Sequence, residues 1–137
     1  DDDAYYVLLD DLRISPAELE DRGFRPCLVQ QTSWASTQAV MKIPAGAVDR
    51  RAVIAAFTDL NAAIGDEKIT GLRHPIRLAG FRNMKPKHEQ DGKFPFVSIQ
   101  KAENRMCETT LKYAQSKSQI SEKSHLPDQA APKKPVQ

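Results

Sequence analysis

Hydrophobic and polar positions follow two different periods along this chain, and together they predict interleaved strands and helices. Residues 5–9, Tyr-Tyr-Val-Leu-Leu, are apolar without alternation, which is typical of a buried strand. Residues 27–32 and 37–43 predict two further strands, joined as a hairpin by a turn at residues 33–36. A fourth strand is predicted over residues 94–99, where apolar positions alternate only in part.

Three other segments carry helical signals. Ser15-Pro16-Ala17-Glu18 is a capping box with proline at the first helical position, and it predicts a short helix that ends near Gly23. Asp49 is placed to cap a longer helix with one apolar stripe, and Gly65 is placed to end it. The residues of that stripe are Val53, Ile54, Phe57, Leu60 and Ile64. A third, weakly amphipathic helix is predicted over residues 102–119.

The order of these elements predicts an α+β fold, with a small, mainly antiparallel or mixed sheet and helices packed on one face. A chain of 137 residues has room for one domain with a real core. We assign residues 1–119 to that domain and residues 120–137 to a disordered tail or linker, because Ser, Lys, Pro and Ala dominate the end. No apolar run reaches the length needed to cross a bilayer, so we expect no membrane partner.

Charge is distributed unevenly, although the net charge of +2 carries little information by itself. The charged residues among the first 21 are mostly acidic, whereas residues 68–93 form a basic stripe. Its cations are Lys68, Arg73, Arg77, Arg82, Lys85, Lys87 and Lys93. An acidic cluster and a basic stripe in one small domain are consistent with metal-dependent catalysis on a polyanionic substrate. A solvated loop face is the alternative that the charges leave open.

Three carboxylates are candidate ligands for a metal ion. Asp10 and Asp11 directly follow the first strand, where two acids without a partner are costly, and Asp66 follows the glycine that ends the second helix. Side chains alternate along a strand, so Asp10 and Asp11 can share an ion only if the backbone turns there. Oxygen ligands suit Mg²⁺ or Mn²⁺ rather than zinc. A turn carboxylate remains the alternative for each acid.

Residues 65–83 are rich in Arg, Gly and Pro, which predicts an irregular segment whose cations meet phosphate. Arg73, His74 and Arg77 are its candidate phosphate contacts, and His74 suits a phosphate or base better than a metal. The predicted hairpin turn places Trp34 among many hydrogen-bonding side chains. Trp34 is therefore a candidate stacking platform for a nucleotide or a template strand, with a plain polar hairpin tip as the alternative.

The succession of motifs resembles the RepB-type replication primases of mobile plasmids, members of the archaeo-eukaryotic primase superfamily. The motifs are LLDDL, VQQTSWASTQAVMKIP, GDEKITGLRHPIRLAGFRNMKP and FPFV, and RHPIRLAGFRN is the most specific segment. The resemblance covers about residues 5–107. It implies an RRM-like core and a primase that makes short primers on single-stranded DNA from nucleoside triphosphates, using Mg²⁺ or Mn²⁺.

The resemblance also implies specific roles for individual residues. Asp10 and Asp11 match the first acidic motif and Asp66 matches the acid of the third, so these three would be the catalytic metal ligands. Gln38 falls where the superfamily usually has a histidine that contacts nucleotide phosphate, and glutamine can still donate a hydrogen bond there. The other expected nucleotide or phosphate contacts are Arg73, His74 and Arg77. The expected DNA contacts are Trp34, Arg82, Lys85 and Lys87.

The wider context follows from the same resemblance. It implies the cytoplasm of a bacterium and a place within a larger replication or mobilisation protein, such as a conjugative relaxase. The chain opens on aspartate rather than methionine, as we expect of an excised domain. Two other interpretations stay open. One is a non-catalytic module that binds single-stranded DNA, and the other is a structural domain whose arginines make only internal salt bridges.

Overall fold

A computed structural model describes residues 3–123, which form four strands and three helices in the predicted order. The strands are β1 (Ala4–Leu9), β2 (Leu28–Gln31), β3 (Thr37–Pro44) and β4 (Ser98–Ala102). The helices are α1 (Pro16–Asp21), α2 (Arg50–Ile64) and α3 (Glu108–Lys123), with 3₁₀ turns at Ala45–Ala47 and Pro86–His88. α3 continues past residue 119, where the sequence placed the domain boundary, and the predicted tail from residue 124 onward lies outside the described residues.

The four strands form one antiparallel sheet in the order β1, β3, β2, β4, which confirms the predicted α+β class. β1 pairs along its whole length with residues 39–44 of β3, and β2 pairs with the first half of β3. One face of the sheet is apolar and consists of Val7, Leu9, Val29, Ala39, Met41 and Ile43. On the other face Gln30 and Gln38 lie directly opposite each other, and Asp10 follows β1 next to Gln38.

All three helices bury side chains against the apolar face of the sheet. α2 supplies Val53, Ala56, Phe57, Leu60 and Ile64, while α1 supplies Leu19 and α3 supplies Ala114. The predicted stripe of α2 is therefore buried, except that Ile54 is only half-buried beside the segment that follows the helix. Because the helices occupy one face, the glutamine-bearing face is left for a binding site. None of the helices within residues 3–123 is both long and apolar enough to cross a bilayer.

β4 begins later than the sequence indicates. The strand starts at Ser98 rather than at Phe94. Pro95 has no backbone N–H to give to a ladder, and Phe96 pairs only with Arg82, in an isolated bridge outside the main sheet. The predicted strand over residues 94–99 is thus divided between this bridge and β4.

Two details of the helices also differ from prediction. α3 begins at Glu108 rather than at Ala102, because Ala102 still belongs to β4 and the Glu103 N–H continues the pairing by donating to the Cys27 carbonyl at 2.8 Å. Asp49 directly precedes α2 as predicted, but its side chain makes no capping hydrogen bond. The cap of α1 does form as the capping box predicts, since the Ser15 hydroxyl accepts from the backbone N–H three residues on.

One buried polar side chain joins the end of β1 to the end of α2. Asn61 of α2 donates from its amide to the carbonyls of Leu8 at 2.9 Å and Phe57 at 3.2 Å. Its Oδ1 accepts from the backbone N–H of Asp10 at 3.2 Å. Gly65 permits this approach, because a Cβ there would lie 2.5 Å from Asn61 Oδ1 and 2.9 Å from the Asp10 carbonyl oxygen. The last turn of α2 therefore lies directly against the first acid.

We expect Asn61→Ala to lower the free energy of unfolding by about 2 to 4 kcal/mol, because it leaves the Leu8 carbonyl and the Asp10 N–H without their partner. Urea unfolding followed by circular dichroism measures the change. Thr58→Ala is the matched control, since its hydroxyl bonds only to the Ile54 carbonyl of the same helix, and its loss costs less than about 1 kcal/mol. Equal stability of Asn61→Ala and the wild-type chain would contradict this anchoring role.

Candidate active site and nucleic-acid interface

The backbone turns at the end of β1, which brings two adjacent aspartates to one side. Asp11 adopts a φ of 43°, in the left-handed region that aspartate tolerates better than most residues. Its N–H donates to Asp10 Oδ1 at 2.9 Å, and the Arg13 N–H donates to the Ile64 carbonyl at 2.8 Å. The turn thus meets the condition under which two neighbouring aspartates can face one ion.

Asp66 joins these two acids from the C-terminal end of α2. One carboxylate oxygen from each of Asp10, Asp11 and Asp66 lies within 4.8 Å of the other two. The Lys68 N–H donates to Asp66 Oδ1 at 2.9 Å and so fixes the orientation of that carboxylate. Three like charges this close repel each other, and their hard oxygen donors are the ligands that Mg²⁺ and Mn²⁺ prefer. The donor set therefore fits a divalent cation.

Two buried glutamines hold Asp10 in place across the open face of the sheet. Gln38 Nε2 donates to Asp10 Oδ1 at 2.7 Å. Gln30 Nε2 donates to Gln38 Oε1 at 3.0 Å and to the Arg77 carbonyl at 2.8 Å. The side chain of Gln38, which the sequence suggested as a phosphate contact, is thus engaged with protein partners at both its carbonyl and its amino group. Its structural contribution is to orient the first acid.

The Arg-rich segment runs beside these acids. Residues 65–81 form neither helix nor strand, as the sequence predicts. His74 Nε2 lies 3.7 Å from Asp10 Oδ2, and Arg77 is tied to the sheet through its carbonyl. The segment therefore places an imidazole next to the acids and a guanidinium farther along the same wall.

A cleft of about 490 Å³ lies over this face of the sheet. Seven of the residues that the sequence singled out line it, namely Asp10, Asp11, Gln38, His74, Arg77, Lys85 and Lys87. Thr32, Ser36, Asn83 and His88 complete its polar wall. Asp10 and Asp11 give the cleft an acidic wall, and Arg77, Lys85 and Lys87 give it a basic one, so a ligand that carries phosphate can meet cations while its reacting end meets the acids.

Trp34 lies beside His88, which lines this cleft. The indole Nε1 of Trp34 donates to the His88 carbonyl at 2.7 Å, which fixes a ring that is almost half exposed. Desolvation lowers the pKa of His88, and the neighbouring charges of Lys87 and Lys85 lower it further. The lowered pKa favours the neutral imidazole, which can form hydrogen bonds without adding charge.

Two of the predicted cationic contacts lie outside the main cleft. Arg73 lines a second cleft of about 330 Å³, together with Arg50 and Lys68, and His74 lines both clefts. Arg82 lines neither of these two clefts. Its guanidinium lies over the ring of Phe96, 4.1 Å from the centroid, and donates to the Phe94 carbonyl at 2.7 Å.

Three residues that build the site were not singled out from the sequence. Asn61 could have been found from the sequence, because it follows Phe57 by four positions and so falls on the buried side of α2. A buried amide there needs hydrogen-bond partners. Gln30 is placed by strand pairing, and no local pattern marks it. Asn83 is placed by the return of the Arg-rich segment to the sheet, where its amide donates to the Thr32 carbonyl at 2.6 Å.

Two solved structures resemble this fold and the arrangement of its elements. The crystal structure of primase RepB′ matches with a TM-score of 0.69 and 26% identity, over 89% of this chain and 42% of that one. The catalytic domain of primase RepB′ in complex with initiator DNA matches with a TM-score of 0.68 and 30% identity, over 89% of this chain and 62% of that one. Both comparisons support the fold, and each relative extends beyond the part that this chain matches.

Sequence comparison leads to the same group of proteins. A DNA primase of Acidithiobacillus ferrooxidans is 35% identical over 114 residues, which are 80% of this chain and 32% of that protein. The chain thus spans about a third of the length of that relative. The family model described as the RepB DNA-primase N-terminal domain matches residues 1–124. On this match, which covers most of its length, the chain belongs to the family of RepB DNA-primase N-terminal domains.

Proposed function

We propose that this domain is the catalytic part of a DNA primase, which joins nucleoside triphosphates into short primers on a single-stranded DNA template. The observation that carries the proposal is the convergence of Asp10, Asp11 and Asp66 beside a cleft with a basic wall. Family membership supports it, since a relative carries the name DNA primase. A structural relative was solved with initiator DNA, which supports DNA as the ligand.

Asp10, Asp11 and Asp66 would hold the divalent metal, Mg²⁺ or Mn²⁺. When bound, such ions activate an attacking hydroxyl and neutralise the leaving oxygens in nucleotidyl transfer. Gln38 orients the carboxylate of Asp10, and Asn61 fixes the backbone of the same residue. Both contacts hold the acid in position before a ligand arrives, which reduces the reorganisation that the reaction requires.

The cations of the cleft would hold the triphosphate and the template backbone. Phosphoryl transfer depends mainly on positioning and on charge stabilisation, so cations beside the acids matter as much as the acids. Arg77, Lys85 and Lys87 line the cleft, and Arg73 lies in the adjoining one. His74 lines both clefts and lies 3.7 Å from Asp10 Oδ2, where the acidic and basic walls meet. It is the candidate contact for the phosphate that lies nearest to the acids.

The biological setting is proposed from the family alone. The domain would be one part of a larger protein, in line with the third of a relative's length that it spans. Plasmid replication is the setting we propose first, and conjugative transfer as part of a relaxase is the second. Both place the domain in the cytoplasm of a bacterium, where template and nucleotides are present together.

We expect Asp10→Asn, Asp11→Asn and Asp66→Asn each to reduce primer synthesis on single-stranded DNA by a factor of about 100 or more, because each removes a charged ligand of the metal. Incorporation of labelled nucleotides in Mg²⁺ or Mn²⁺ measures the loss. Asp49→Asn is the control, since that exposed carboxylate makes no capping bond.

Two results would count against the catalytic proposal. If any of the three site variants makes primers at the wild-type rate, the acid changed in that variant is not a required metal ligand. Absence of synthesis by the wild-type chain, together with firm binding of single-stranded DNA, would favour a non-catalytic DNA-binding module.

The contact from Gln38 to Asp10 gives a second expectation. Gln38→Leu keeps the size of the side chain but removes the hydrogen bond to Asp10 Oδ1, so we expect Mn²⁺ affinity to fall about 10-fold. Electron paramagnetic resonance of free Mn²⁺ during a titration measures the affinity. Gln100→Leu, on the exposed edge strand, is the matched control and should bind Mn²⁺ like the wild type. Unchanged affinity in Gln38→Leu would show that the glutamine does not orient the acid.

A further inference from the structure

The segments 80–83 and 94–97 pair with each other as a short antiparallel ribbon outside the main sheet. Three backbone hydrogen bonds of 2.8 to 2.9 Å join them: Gly80 N–H to the Val97 carbonyl, Val97 N–H to the Phe81 carbonyl, and Asn83 N–H to the Pro95 carbonyl. Arg82 and Phe96 form the bridge at its centre. Residues directly opposite each other in such a bridge point to the same side, which agrees with the contact between their side chains.

The inner side of this ribbon is fixed to the domain. Val97 and Asn83 are both buried. The amide of Asn83 donates to the Thr32 carbonyl at 2.6 Å, just beyond the end of β2. The ribbon is therefore a supported surface element, and the side chains on its outer side are held in place by paired backbone.

Two aromatic rings of the ribbon are exposed to solvent. Phe81 is 64% exposed and Phe96 is 54% exposed. Other large apolar side chains that are exposed in the same part of the chain are Ile76, Leu78, Met84 and Ile99. Large exposed apolar groups gathered in one region mark a binding surface more often than they mark ordinary solvent-facing residues.

The charges around these rings indicate what the surface binds. The Arg82 guanidinium lies over the ring of Phe96, and the same stretch of chain carries Arg77, Lys85, Lys87 and Lys93 against Glu89 and Asp91. An apolar surface among mostly cationic groups complements a polyanion that has apolar faces. Single-stranded nucleic acid has this character, because its bases stack on aromatic rings while its phosphates meet lysine and arginine.

We propose that the ribbon is a base-stacking platform for single-stranded nucleic acid, on which unpaired template bases stack against Phe81 and Phe96. The proposal rests on the proposed function, in which single-stranded DNA is the template, and it adds the surface that grips the strand. Asn83 belongs to the ribbon and also lines the cleft over the acids. The ribbon is therefore adjacent to the cleft that holds Asp10 and Asp11.

The test measures binding of a short fluorescent oligothymidylate by anisotropy, with a chelator present and without nucleotides. Phe81→Ala and Phe96→Ala should each weaken binding roughly 5- to 150-fold, the range expected when one stacked base loses its ring. Phe96→Trp keeps a stacking ring and should retain affinity. Phe96→Leu keeps an apolar side chain but has no ring, so it should lose affinity as the alanine variant does. Circular dichroism confirms that each variant is folded.

Three controls separate stacking from other effects. An oligomer with the same phosphates but without bases should bind the wild-type chain and both alanine variants equally. Lys85→Ala should lower the slope of log K against log salt concentration by about 0.7, whereas the phenylalanine variants should leave that slope unchanged. Met106→Ala removes an apolar side chain that is 43% exposed outside the ribbon, and it should bind the oligothymidylate like the wild type.

Wild-type affinity in both alanine variants would overturn the platform, and so would an equal loss of binding to the base-free oligomer. A change in the sedimentation of the free protein, with DNA affinity unchanged, would assign the surface to protein contacts instead. The catalytic proposal is tested separately, because binding in chelator does not depend on the acids. If the phenylalanine variants still make primers and bind DNA like the wild type, the platform is rejected while the catalytic proposal stands.

Discussion

The hydrogen bonds of Asn61 are the constraint on which the site depends. This one side chain joins the carbonyl of Leu8, at the end of β1, to the last turns of α2, and it also receives the N–H of Asp10. Gly65 lets the helix end close enough for the contact to form. Two segments far apart in sequence therefore end at the same point. The acids that follow these segments are therefore brought close together, and a bound cation would offset the charge repulsion among them.

The division of the sheet into two faces explains why the site can be polar. The helices bury one face, so folding does not require apolar residues at the matching positions of the other. Gln30 and Gln38 occupy that second face and connect Asp10 to the backbone of Arg77 by direct hydrogen bonds. The acids and the basic wall are thus linked through the sheet itself. A displacement of the Arg-rich segment would therefore shift the carboxylate of Asp10, on which the proposed metal site depends.

Elements that depend on neighbouring residues were predicted from the sequence, whereas contacts that depend on tertiary pairing were not. The strand before Asp10, the cap at Ser15 and the helix that ends before Gly65 all depend on neighbouring residues, so the sequence shows them. Pro95 also indicated that β4 starts late, but the partly alternating apolar residues around it suggested a strand from residue 94 onward. The partners of Gln38 depend on strand register instead. The register of β2 against β3 and the return of the Arg-rich segment to the sheet depend on the whole fold. No single stretch of residues is enough to predict either of them.

We propose that three acids from two separate segments, Asp10, Asp11 and Asp66, hold one metal ion. Nuclear magnetic resonance with substoichiometric Mn²⁺ tests it most directly, because the ion broadens the amide signals of residues close to it. We expect the signals of Asp10, Asp11 and Asp66 to broaden together and before those of other acidic residues. Broadening at Asp10 and Asp11 without Asp66, or equal broadening at exposed acids such as Glu89 and Asp91, would contradict it.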